Sequence, residues 1–300
     1  MNIIFMGTPD FAVQILQGLV GYNIKAILTQ SDKKVGRKQI LSPSAVKDYA
    51  LHNLKEVPIF TPKNFNDDEL IVKIKAFKPD FIVVAAYGKI LPKAVLQIAP
   101  CINLHASLLP KYRGASPIQS AILNGDEKSG VCAMLMNERL DEGDILKSVE
   151  CDIRGKNAKE VFNDLANLAS ILCKEVLCNF NNLNPIKQDN TRASYCTKIK
   201  KEDGLVSLQN AKELYQKFLA FTPWPGIFLE NGLKFIDIEF IDEKEHEKMG
   251  KILALEKDSF LLACKKGTLR IKKIQESGKK ILDARVFLNG KRLKNEDNLC

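Results

Sequence analysis

Residues 102–114 read Ile-Asn-Leu-His-Ala-Ser-Leu-Leu-Pro-Lys-Tyr-Arg-Gly (INLHASLLPKYRG). Asn103 and His105 stand two apart in a strand-like run, and strand side chains alternate with period two, so one amide and one titratable ring project from the same face. The run gives way to the turn-rich SLLPKYRGASP and then to an apolar-periodic helix, Ile118 to Leu123. Ligands of open α/β sheets sit outside such strand ends.

The flanking sequence repeats the alternation. Asn2 to Met6 is an apolar run ending at Gly7, with Thr8 placed to cap a helix, Pro9 at its first position, and Phe11, Ile15, Leu16 and Leu19 on one face. Ile24 to Thr29 returns as a strand, which makes the opening a βαβ unit. Its turn, GTPDFA, has one glycine and lacks the GxGxxG arrangement of a dinucleotide site. Val57 to Phe60, a helix over Leu70 to Phe77, and the run FIVVAA (Phe81 to Ala86) follow; an unbroken apolar run fits a strand buried on both faces. Gly130 to Met136 and Ile145 to Cys151 read as two further strands, joined through Asn137 to Asp144. Helical spacing from Ala158 to Phe180 closes a first domain. The predicted fold is a Rossmann-like, open and mostly parallel α/β sheet over residues 1–185.

Asn181 to Asp203 is polar and turn-rich, and 186–204 reads as a linker. Ala211 to Phe221 is a short helix running into Thr222-Pro223-Trp224-Pro225-Gly226, where the single tryptophan reads equally as a packing anchor or a ligand contact. Short β-rich runs at Phe235 to Phe240, Ile252 to Leu255, Phe260 to Cys264 and Thr268 to Ile274 suit a small β-barrel over 205–300.

Composition excludes several classes. No apolar run approaches the roughly 18 to 20 residues that span a bilayer, and MNIIFMGTPDF reads as a first strand rather than a signal peptide. A cytoplasmic protein without a membrane partner is expected. The eight cysteines are scattered, with no CxxC pair and no His at zinc-ligand spacing, so they read as ordinary thiols and no metal is expected. His246, in DEKEHEK, reads as solvated and His52 as locally bonded. The net charge is +9, with +3 before Pro185 and +6 from it onward, a moderate excess that suits a polyanionic partner.

Taken singly, the polar residues are ambiguous. A lone His at a strand end is more often a structural hydrogen-bonding group, a lone Asn a turn or cap, and Asp141 in RLDEGD a solvated loop carboxylate. The ordered set reverses this: Asn-x-His, SLLP behind it, and LDEGDIL about thirty residues on. With NLHASLLPKYRGASPIQSAI, that set resembles the folate-dependent formyltransferase family, and the likeness runs from Met1 through PWPG into the C-terminal part.

The resemblance implies transfer of a formyl group from 10-formyltetrahydrofolate to an amine, with Asn103, His105 and Asp141 as the catalytic trio. It assigns Tyr87, Gly88, Lys89, Ile90 and Leu91, and Leu109, Pro110, Lys111 and Tyr112, to two folate-contacting loops; ordinary core packing is the alternative for Ile90 and Leu91. Among members whose acceptor is initiator methionyl-tRNA, a basic loop with a GR element meets the acceptor end. Arg37, supported by Lys33, Lys34 and Lys38, matches that loop, although QSDKKVGRKQIL by itself also reads as a solvated surface loop. The family carries an oligonucleotide-binding-type (OB-like) barrel at its C-terminus, where Lys265, Lys266, Arg270, Lys272 and Lys273 could face RNA phosphates. A monomer is the family expectation. A nucleotide-sugar amine is the rival acceptor, and a non-catalytic tRNA- or folate-binding protein is the rival of a different class.

Overall fold

The computed structural model describes residues 1–299 except Arg37, Lys38 and Asn66, and all but the side chain of Val35. Seven strands form the first sheet, in the order Ile145–Asp152, Lys128–Leu135, Cys101–His105, Phe81–Ala85, Asn2–Gly7, Asn23–Leu28, Ile59–Phe60. From Cys101–His105 to Ile59–Phe60 every neighbouring pair is parallel; the two strands on the other side pair antiparallel. Asn103 and His105 therefore lie on the last parallel strand, where the sheet changes direction.

The central strands are buried on both faces, and their period-two alternation decides which face each side chain joins. Ile4, Met6, Ala26, Leu28, Ile82 and Val84 line one sheet face against Phe65, Leu70, Ile74, Leu91 and Val95. Each of these side chains apart from Ala26 contributes about 1.5–3 kcal/mol on leaving water. All five residues of Phe81–Ala85 are buried, as an uninterrupted apolar run requires. The helix Asp68–Ala76 is capped by Asp67, whose carboxylate accepts from Glu69 N at 2.9 Å, and Ser44 caps Ala45–Asn53 through Lys47 N at 3.1 Å.

Thr8 does not cap the first helix. Asp10–Gly18 begins after Pro9 with no side-chain cap, and the Thr8 hydroxyl instead donates to the Tyr87 carbonyl at 3.0 Å. The basic segment after Gln30 contains a hairpin, Lys33–Val35 against Ile40–Ser42.

Two compact units divide the chain. One comprises Met1–Pro117, Lys128–Asp152 and Val161–Thr197; the other comprises Ile118–Glu127, Ile153–Glu160 and Lys198–Cys300. Residues 186–197, expected as linker, thus group with the first unit. They hold a short strand, Tyr195–Cys196, paired parallel with Arg113–Gly114.

In the second unit, antiparallel ladders run in the order Ile227–Phe228, Lys234–Glu245, Lys266–Gln275, Phe260–Ala263, Ile252–Leu255, with Leu282–Asp283 also on Lys266–Gln275. Helix Ala211–Phe221, capped by Asn210, stacks Tyr215 on Phe240 at 6.5 Å. Trp224 is 57% exposed. His246 bonds the Thr268 hydroxyl at 3.0 Å, and His52 Nδ1 meets the Asp48 carbonyl at 2.8 Å. Among the described residues, no helix is long and apolar enough to cross a membrane.

Candidate active site

Asn103 and His105 lie on the same face of their strand, and both are buried, at 8% and 6% exposure. His105 Nε2 lies 2.9 Å from the Tyr112 carbonyl. A carbonyl only accepts, so this bond assigns the proton to Nε2 and leaves the Nδ1 lone pair of the neutral ring as the base. Nδ1 faces Asp141 Oδ2 at 3.7 Å, an ion-pair distance beyond hydrogen-bonding range. The direct orienting partner of the ring is therefore the Tyr112 carbonyl, with Asp141 facing its basic edge.

Asp141 sits on the turn between the two antiparallel strands, with φ +52°. One carboxylate oxygen accepts from Gly114 N at 2.9 Å; the other takes a long 3.4 Å bond from the Asn103 amide. Asn103, His105 and Gly114, from one short stretch, thus converge on the carboxylate of Asp141, which comes back from the connection between the next two strands of the sheet. Gly114 makes this possible: at φ +122° its Cα lies so near the Cys196 carbonyl that an added Cβ would fall 2.1 Å from that oxygen. Cys132, the register partner of His105, is no rival nucleophile, because burial pushes its thiol up to about 11.

The two loops expected to contact folate are differently disposed. Tyr87 and Leu91 are buried, Leu91 within the core, while Ile90 is 80% exposed. The Tyr87 carbonyl also accepts from Gln30, its hydroxyl is buried without a hydrogen-bond partner, and burial raises its pKa. Gly88 has φ +73°, and Lys89 is anchored on the carbonyls of Pro62 and Lys63. In the second loop Leu109 and Tyr112 are buried, Pro110 is half-buried and Lys111 is exposed.

An open cleft of about 340 Å³ lies between Lys93, Leu96 and Gln97 on one side and Met136, Asn137, Glu138 and Arg139 on the other. It ends two residues before Asp141. Sequence reading did not single out these residues, because nothing in MNER marks a pocket until the turn is folded.

Of the basic positions expected to meet RNA, Arg37 and Lys38 lie outside the described residues. Lys34 is exposed, and Lys33 donates to the Gln30 side chain at 2.5 Å. In the second unit Arg270 forks onto Glu256 at 2.7 and 2.9 Å and meets Glu239 at 2.8 Å. Lys272 pairs with Glu239 and Lys266 with Glu243. Lys265 and Lys273 are exposed. The expected stripe is thus a mixed-charge ribbon, with three of its cations held by carboxylates.

The formyl transferase family model matches residues 1–177, and the formyl transferase C-terminal domain model matches 198–292. Methionyl-tRNA formyltransferase of Campylobacter jejuni subsp. doylei is 65% identical over all of this chain and 99% of its own. The chain belongs to the methionyl-tRNA formyltransferase family. Two solved structures share the family fold at 18% identity. The N-formyltransferase of Helicobacter canadensis, in complex with folinic acid and dTDP-3-aminofucose, has a TM-score of 0.64 over 90% of this chain and 98% of its own. HypX of Aquifex aeolicus, in complex with tetrahydrofolic acid, has a TM-score of 0.63 over 98% of this chain; the chain spans 48% of that longer protein.

Proposed function

We propose that this chain transfers the formyl group of 10-formyltetrahydrofolate to the free amino group of methionyl-tRNA, the reaction that supplies formylmethionyl-tRNA for translation initiation. The full-length 65% identity to a methionyl-tRNA formyltransferase carries this reading. The converging Asn103, His105 and Asp141 supply chemistry that suits it.

The attacking group must be a neutral amine. An α-amine with an ordinary pKa of about 7.7 to 8.0 is mostly protonated at neutral pH, so a base beside it matters. In the neutral tautomer that donates Nε2–H to the Tyr112 carbonyl, His105 Nδ1 carries the free lone pair and takes that proton. The Asn103 amide, bound to Asp141 only at 3.4 Å, is free to turn its N–H groups onto the formyl oxygen as negative charge develops there. Asp141 faces the imidazole as it becomes cationic and stabilises that charge. The bound folate supplies the formyl carbon: the amine–carbon bond forms as a tetrahedral adduct, the adduct collapses with cleavage of the bond to folate N10, and the proton taken up by His105 goes to that departing nitrogen. The cleft from Lys93 to Arg139, which pairs apolar Leu96 and Met136 with polar Gln97 and Asn137, is assigned to its fused ring, and the Tyr87 and Leu109–Tyr112 loops to the rest of the donor side. On the acceptor side, the hairpin around Lys33 and Lys34 meets the tRNA end, with exposed Lys265 and Lys273 adding phosphate contacts.

Labelled formyl transfer from 10-formyltetrahydrofolate, offered charged initiator methionyl-tRNA and a nucleotide amino-sugar in parallel, tests the acceptor. Formylation of the tRNA alone is expected. Transfer to the sugar alone would keep the trio and overturn the acceptor.

A further inference from the structure

Arg113 is wholly buried, yet its charge cannot be shed by deprotonation. Every edge of its guanidinium is engaged. Nε and Nη2 donate to Gln188 Oε1 at 3.1 and 2.8 Å, Nη2 also to Asn190 Oδ1 at 2.7 Å, and Nη1 reaches the Tyr195 hydroxyl at 3.3 Å and Glu142 at 3.2 Å. Gln188 then uses its other end. Its Nε2 donates to the main-chain carbonyls of Asp141 at 2.9 Å and Gly143 at 2.7 Å.

The turn 141–143 is therefore gripped twice, at its main chain by Gln188 and at Glu142 by Arg113. This is the turn on which Asp141 adopts a left-handed conformation that non-glycine residues seldom take without being held there. That conformation aims its carboxylate at Gly114 N and at the imidazole. Apolar packing could hold a turn as firmly, whereas a buried, fully satisfied polar network fixes one hydrogen-bonding geometry.

We propose that Gln188 and Arg113 are positioning residues for Asp141, so that the segment 186–197, outside the span matched by the N-terminal family model, completes the catalytic centre. This rests on the formyl-transfer reading above. Neither residue touches the reacting groups; each acts through the placement of one carboxylate, and a misplacement of 1 Å in such a group costs about 100-fold in rate.

Gln188 rather than Arg113 carries the test, because removing a buried guanidinium takes the donor from Gln188 Oε1 and Asn190 Oδ1 and threatens folding itself. Gln188→Leu removes the donor to the turn. Gln188→Glu keeps an oxygen for Arg113 but also loses that donor, and so serves where the leucine variant fails to fold. Each is expected to lower kcat for methionyl-tRNA formylation by about 10- to 100-fold, with KM for both substrates within about twofold. In an Asp141→Asn background the same change should cost nothing further, since residues acting as a unit are not additive. An unchanged kcat, or the same fold-loss in both backgrounds, would overturn the proposal. The imidazole resonances of His105 provide a readout independent of turnover. They should move in Gln188→Leu as the facing carboxylate shifts, and unmoved resonances would count against it. A wild-type protein that transfers no formyl group would sink the assigned function, and the resonance comparison would still decide the role of Gln188.

Discussion

At the scale of single residues, the proposed site rests on one amide donor, Asn103, one base, His105, and one carboxylate, Asp141, held by backbone geometry. Removing the Asn103 amide should cost about 2.7 to 4 kcal/mol of transition-state stabilisation, so Asn103→Ala is expected to lose about 100- to 1000-fold in kcat while tRNA affinity holds. Comparing kcat with a directly measured tRNA Kd checks this; a loss confined to Kd would make Asn103 a binding residue. Gly114→Ala should be damaging for a different reason. The added methyl meets the Cys196 carbonyl, and φ +122° strains any L side chain, at a cost of about 1 to 3 kcal/mol visible as a lowered Tm. An unchanged Tm would show that the loop relaxes away from the Tyr195–Cys196 strand. The Asn-x-His spacing was legible in the sequence because period two is a property of any strand. The proton-bearing nitrogen of His105 was not: it follows from the Tyr112 carbonyl, brought back by a loop seven residues on.

At the scale of elements, the strands and the long helices were readable from period and apolar runs, and Ala211–Phe221 and Ile252–Leu255 have the bounds expected of them. The segment 186–197 was not readable as part of the site. Gln188 and Asn190 find their partner 75 and 77 residues away, and such polar pairing leaves no periodic trace. The basic stripe was misleading in a related way, because a count of lysines cannot show which are already paired. Hydrogen bonds from Arg270 hold the Glu256 carboxyl below the usual carboxylate range, and those from Lys272 and Arg270 do the same to Glu239. With folded pKa values below the unfolded value of about 4.3, this contribution is complete above that pH and is lost as pH falls through the folded values. The groups are partly solvent-exposed, so the pairs are worth only about 0.2 to 1 kcal/mol each. Arg270→Ala should lower Tm by a few degrees at pH 7, and the gap from wild type should close as the pH drops below about 4. A constant gap at both pH values would assign the loss to packing. In the hairpin, Lys34→Ala should reduce the slope of log K for tRNA against log salt by about 0.7 to 0.9. An unchanged slope would remove Lys34 from the phosphate contacts.

At the scale of the whole molecule, one mostly parallel sheet delivers Asn103 and His105 to the strand where its direction reverses, and the turn between its two antiparallel strands brings Asp141 back to meet them. In the proposed reading, the cleft that ends two residues before Asp141 is the donor side and the basic hairpin the acceptor side. The central claim is that this trio carries formyl transfer to methionyl-tRNA. Single-turnover formylation of charged initiator tRNA, with enzyme in excess and 10-formyltetrahydrofolate saturating, measures it most directly in wild type, His105→Ala, Asn103→Ala and the double variant. The account predicts rapid transfer by wild type, losses of at least about 100-fold in each single variant, and a double-variant loss well short of their product. Wild-type rates in His105→Ala, or no transfer to tRNA by the wild-type protein, would contradict it.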